Sequence, residues 1–187
     1  MENNEPLELH PTTEQRLILM NQYKILEKLY PEDAETYERY QEILNEGYTL
    51  HYSELIDHMS QPMEENDMRF VLDILDLYST LFYAVFRSDN PKYKNKQIYF
   101  PGFDGNHEYK YLNYTRFFLF RLNRFNELQK EDTYESYNTH GQTLGYYKKM
   151  LNYWNELPQK NKFNLTSEQL DALLDMAYPE TLGVKNV

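Results

Sequence analysis

The residues that could do chemistry in this chain are few, and they fall in two groups. Asp104 and His107 stand close in sequence to Arg116. A carboxylate, an imidazole and a guanidinium are the parts of a general base with an anion clamp, so a pocket near Asp104, His107 and Arg116 would be the place for enzymatic proton transfer. The second group is His51, Glu54 and His58. On one helix these three would share a face, but His51 and His58 would lie two turns, or ~10 Å, apart along the axis. That is awkward for a single ion, so no metal site and no cofactor are expected.

Every other familiar constellation is missing. Neither a phosphate-cradling G-x-x-x-x-G-K-[ST] loop nor a G-x-G-x-x-G turn occurs. There is no G-x-S-x-G nucleophile elbow and no H-E-x-x-H helix. None of the 5 His has a Glu three residues before it, as a di-iron bundle would require. With 0 Cys, thiolate nucleophiles, disulfides and Cys-ligated zinc are excluded. No catalytic residue is therefore assigned, and the balance lies against an enzyme.

Two further features could recognise a partner. Tyr99, Phe100 and Phe103 flank the Pro101-Gly102 turn, where they could form a partner surface or pocket rim with Asp104, His107 and Arg116, or a plug sealing the core. The plug is the favoured reading. Lys110, Arg116, Arg121 and Arg124 make one stretch basic. They could contact RNA or DNA, chiefly through Arg121 and Arg124, or pair with acids such as Asp73 and Asp76. The net charge of −11 favours pairing and makes nucleic-acid binding an unattractive reading, because such affinity rests on neutralising phosphates.

The elements that must carry these residues are helices. Thr12 and Gln15 form a capping box ahead of Leu17, Ile18, Met20, Tyr23, Ile25, Leu26 and Leu29. Pro31 starts a second helix, which Gly47 ends. So short a connection predicts an antiparallel hairpin. A shorter helix is expected over Tyr52–Met59, and Pro62 opens the next. Met68–Phe86 is apolar almost all round and should be the central helix. Residues 88–105 form a long aromatic connection. A long helix is expected over Asn106–Leu128, another over Leu144–Leu157, and a last one after the Thr166–Gln169 capping box. The class is all-α: a multi-helix orthogonal or bundle-like domain over 12–177, with tails at 1–11 and 178–187.

No apolar run approaches the ~20 residues of a membrane-spanning helix, and the N-terminus is acidic rather than signal-like. A cytoplasmic location and no membrane partner follow as expectations. The 19 Tyr are the compositional oddity. Tyr40, Tyr52, Tyr109 and Tyr146 lie next to charged residues, which suggests an interface and a homo-oligomer, most simply a two-fold dimer.

Three blocks carry a family resemblance. Gln15–Leu19 and Asn21–Lys24 lead to Gly47-Tyr48 and Glu54-Leu55. Gly102-Phe103-Asp104 leads to Tyr111-Leu112, Tyr114 and Arg116-Phe117, and Met150-Leu151 and Trp154 precede Leu165-Thr166 and Glu168. In this order they resemble the YfbU family over about residues 12–176. The resemblance implies an all-helical, cytoplasmic, bacterial protein. It brings no established activity, cofactor or catalytic residue. The reading is thus a non-enzymatic protein-interaction or regulatory module that self-associates, with the general-base enzyme and weak nucleic-acid contact as alternatives.

Overall fold

A computed structural model describes residues 7–94, 96–129, 137–158 and 164–178. Its regular elements are helical, and one isolated bridge, Phe103 to Asn138, is the only β pairing among the described residues. Within the span read as one domain, the residues gather into two compact units, 1–62 and 63–187. Each has its own core.

The first unit begins as its capping box dictates. Thr12 Oγ1 accepts the Gln15 N–H at 3.2 Å while Gln15 Oε1 accepts that of Thr12 at 2.8 Å, opening α1 (Thr13–Leu29). Pro31–Asp33 makes a tight 3-10 turn, and α2 (Ala34–Glu46) runs back along α1 to Gly47, whose φ of 73° is the left-handed stop. Arg16 ties the hairpin's open end together. Its Nε donates to the Leu44 carbonyl at 2.6 Å and its Nη2 to that of Asn45 at 2.8 Å, at the negative end of the α2 dipole. The core is small: Ile43, Leu44, Tyr52 and Leu55, with Leu9, Leu19, Met20, Tyr23 and Tyr40 packed against it. Leu9 therefore belongs to the fold, although the sequence reading counts it in the tail. The helix expected over Tyr52–Met59 is instead a 3-10 segment, Thr49–Leu55. With three residues per turn, Tyr52 and Leu55 eclipse and both point into the core.

The second unit is built on α3 (Glu65–Phe86), which starts a few residues beyond Pro62 rather than at it. Val71, Ile74, Leu75, Leu77, Tyr78, Leu81 and Val85 are buried, within an arc of about 160° at 100° per residue, so one broad face is covered rather than nearly the whole circumference. Against it pack α4 (Tyr109–Arg116), α5 (Leu144–Glu156) and α6 (Ser167–Ala177). The Thr166–Gln169 capping box opens α6 as expected.

The long helix expected over Asn106–Leu128 does not form. After Arg116 the chain widens into a π-type turn at Phe117–Arg121, where the Leu122 N–H donates to the Phe117 carbonyl. Asn123 and Phe125 then adopt left-handed φ values of 51° and 52°. The reversal folds Phe125 back onto Phe118, with ring centroids 5.9 Å apart, and buries Leu119 and Leu128. A straight helix of four consecutive large apolar residues would have left half of them in water. Tyr178, read as the first tail residue, is buried as well, and its hydroxyl donates to the Tyr99 carbonyl at 2.7 Å and accepts the Tyr99 N–H at 2.9 Å. The remaining tail segments, 1–6 and 179–187, lie outside the described residues, as do 130–136 and 159–163. No helix among the described residues is long and apolar enough to cross a membrane.

Candidate functional site

The loop from Ile98 to Glu108 turns inward because its turn chemistry leaves no alternative. Gly102 has φ +105°, and a Cβ there would sit 1.8 Å from the Tyr137 carbonyl oxygen. Only glycine allows that approach. It lets the Phe103 N–H donate to the Tyr137 carbonyl at 3.0 Å, while the Gly102 carbonyl accepts the Tyr147 hydroxyl at 2.6 Å. Phe100 and Phe103 are thereby driven into the core, where their rings meet Tyr78, Tyr147, Tyr111 and Tyr137 at centroid distances of 5.2 to 6.2 Å. Tyr99 is half-buried, tilted against Tyr178. The rings are therefore structural at Phe100 and Phe103, with only Tyr99 at a surface.

Glu108 proves to be the centre of the loop. Its carboxylate is buried and accepts from the N–H groups of Thr143 at 2.8 Å and Leu144 at 2.9 Å, from Thr143 Oγ1 at 2.8 Å, and from the Asp104 N–H at 3.1 Å. It satisfies the start of α5 from another element, with the dipole of that helix in its favour. Four donors on one buried carboxylate leave it little capacity for chemistry. Nothing in the local sequence signals this role, because three of the four donors come from Thr143 and Leu144, far along the chain.

Asp104 and His107 do come together. Asp104 is buried and accepts the Asn106 N–H at 3.1 Å on Oδ1, while Oδ2 lies 2.6 Å from His107 Nδ1. The His107 bond, then the Asn106 N–H, hold the Asp104 carboxyl below the usual carboxylate range. The His107 side chain is 64% exposed. A carboxylate orienting a largely exposed imidazole is the base-and-orienter half of a catalytic constellation. Arg116 ends α4, about 12 Å of helical rise away.

The remaining candidates separate. His51 Nδ1 contacts Glu54 Oε1 at 2.7 Å, but His58 lies against Asp57 at 3.6 Å. Among the described residues no group of three or more His, Asp or Glu is placed to hold a metal ion. Arg121 and Arg124 are exposed, and their anticipated ion pairs with Asp73 and Asp76 are not formed. The turn after α4 carries them off the helix that would have delivered them to α3. Of the four Tyr read as surface rings, Tyr52 is buried, Tyr40 and Tyr146 are half-buried, and Tyr109 is exposed.

The most exposed apolar face lies elsewhere, on α1. This helix buries no residue completely, and Leu17, Ile18, Ile25 and Leu29 are each 56 to 63% exposed. Ile18, Ile25 and Leu29 fall within an arc of about 40° at 100° per residue. Leu19, Met20 and Tyr23 turn instead into the hairpin core. The sequence shows both stripes but not which of them the chain itself covers.

A model of the YfbU domain matches residues 9–176. The UPF0304 protein MJECS11 of Methanocaldococcus jannaschii is 34% identical over 166 residues, which is 86% of this chain and 96% of that protein. The relative is archaeal, so the bacterial origin implied by the sequence resemblance is not a property of all similar proteins.

Proposed function

The chain belongs to the YfbU family, and from that premise we propose that it is a non-enzymatic interaction module whose partner is a second copy of itself, docked through α1. The carrying observation is the exposed stripe of Ile18, Ile25 and Leu29 on a helix whose other face already supplies the hairpin core. Along one edge of that stripe Glu14, Asn21 and Lys28 follow at seven-residue steps. An antiparallel pairing with its two-fold axis between Asn21 and Gln22 sets Ile18 against Ile25 of the second copy and Glu14 beside its Lys28. Parallel pairing would bring Glu14 onto Glu14 and Lys28 onto Lys28, which like-charge repulsion disfavours.

Light scattering during size exclusion tests this. Wild-type protein is expected at twice 22.8 kDa, and Ile25→Glu at the single-chain mass. A single-chain mass that stays unchanged over a hundredfold range of wild-type concentration overturns the reading.

A second reading rests on the Asp104–His107 contact of 2.6 Å, and makes His107 the general base of an enzyme. Turnover of a hydrolysable substrate lost in His107→Ala and kept in Ile25→Glu would favour it.

A further inference from the structure

We propose that a cleft in the second unit, between the last turns of α3 and the connection that follows it, binds a planar aromatic anion of nucleotide size. The cleft holds about 580 Å³, within the range of small-molecule sites. Its lining includes the pair Phe82 and Phe86, four residues apart on α3, whose rings lie parallel within 5° at 6.1 Å. Phe86 is 76% exposed. A large apolar ring presented to water beside a cleft keeps area open for stacking, and every nucleobase or comparable aromatic has a face to lay on it.

The rim supplies the charge. Residues 90–103 contain Lys92, Lys94 and Lys96 and no acid at all, in a chain of net charge −11. Lys92 is committed, with its Nζ 2.5 Å from Asp171 Oδ2. Lys94 and Lys96 line the cleft and make no ion pair among the described residues. Two ammonium groups beside an aromatic pair fit a ligand with its ring on Phe86 and a phosphate or carboxylate toward the lysines. On the other side stands Glu127, which accepts the Ser79 hydroxyl at 2.5 Å. Its remaining lone pairs suit an N–H donor on the ligand's ring and repel an anion, so they orient the charged end toward the lysines. The residues of this site lie in 63–187, whereas the self-association stripe lies in 1–62.

Isothermal titration of the full chain at low salt with AMP, adenosine and inorganic phosphate tests the proposal. AMP is expected to bind with a Kd at or below about 1 mM, more tightly than adenosine or phosphate. Phe86→Ala and the double variant Lys94→Gln/Lys96→Gln should each weaken AMP about tenfold. Phe86 and Lys94 are exposed and Lys96 is half-buried, none of them in the buried core, so these variants should fold. Lys24→Gln, a charge control in the first unit, and Ile25→Glu should leave binding unchanged. No saturable AMP binding overturns the proposal. So does AMP binding that is insensitive to both cleft variants, or phosphate binding as tightly as AMP.

Discussion

Two helices of this molecule begin with the same instruction and end in opposite circumstances. Thr12–Gln15 opens α1 and Thr166–Gln169 opens α6, each with both reciprocal capping bonds made. Yet α6 buries Leu170, Leu173, Leu174 and Ala177, whereas α1 buries nothing completely. The contrast extends to their units. Around α6 the core is rich in rings, closed by Phe100 and Phe103 and pinned by the buried Glu108 carboxylate. Around α1 the core is four buried residues and a hairpin that keeps a second apolar stripe outside. Capping fixes where a helix starts. How many of its faces find cover is decided by the elements brought against it, and in the first unit there are too few.

The largest effect is expected where the second unit is most filled. Phe100→Ala should cost about 3–5 kcal/mol and Leu75→Ala about 2–5 kcal/mol, since each leaves a cavity among rigidly packed neighbours. Trp154, the single Trp, packs against this core and reports its unfolding by fluorescence. A loss below half of those values would show that the ring core is loosely packed, and the contrast between the units would fail.

Most of the helix positions are readable in the sequence, because capping boxes, Pro31 and Gly47 act within a turn of where they stand. The failures have a common cause. The Asn106–Leu128 stretch has the composition of a helix, but Phe118 and Phe125 gain more by folding onto each other than by staying in register. Glu108 takes its meaning from Thr143 and Leu144, more than thirty residues on, and no local pattern carries that. At the candidate site the Asp104–His107 spacing is legible and the inward turn of Phe100 and Phe103 is one of two readings left open. Gly102 settles it, through a contact with Tyr137 that only the folded chain reveals.

Gly102→Ala should therefore come next in size. A Cβ at 1.8 Å from a backbone oxygen, on a φ of +105°, cannot be relieved by a side-chain rotation. The strain alone is worth about 1–3 kcal/mol. The loop must shift to relieve the clash, which would break the Phe103–Tyr137 bond. Thermal unfolding followed by Trp154 measures this, and an unchanged midpoint would mean that the loop is not held as described.

In the first unit the strongest single tie is Arg16. Arg16→Ala removes two hydrogen bonds to the carbonyls ending α2 and should cost about 1–2 kcal/mol. It should appear in the helical circular dichroism signal while the Trp154 transition keeps its midpoint. A matched shift in both signals would show the two units to unfold as one.

The Asp104–His107 contact gives a pH-dependent effect. Asp104 is held below its ordinary pKa by His107, so the folded form binds its proton less readily than the unfolded chain does. The stability it contributes is fully present above about pH 4 and is lost as pH falls through the lower folded value. His107→Ala should raise the Asp104 pKa toward the ordinary value, as followed by carboxyl NMR shifts, and flatten the stability loss below about pH 4. An Asp104 titration unmoved by the variant would mean that the imidazole does not hold the carboxylate in solution.

The smallest stability effect is expected on the outer face of α1, and its smallness is the point. Ile25→Glu replaces a side chain that is mostly in water already, so in dilute solution, with any dimer dissociated, it should change unfolding free energy by no more than about 0.5 kcal/mol. Leu44→Ala, in the same hairpin but fully buried, should cost about 2–5 kcal/mol. At high concentration the two should reverse their ranking in one respect: Ile25→Glu abolishes the concentration dependence of the melting temperature that self-association confers, while Leu44→Ala retains it at a lower temperature. If Ile25→Glu instead costs as much as Leu44→Ala when dilute, the stripe is covered within the single chain. The first unit would then be as closed as the second, and a second copy would have no face to meet.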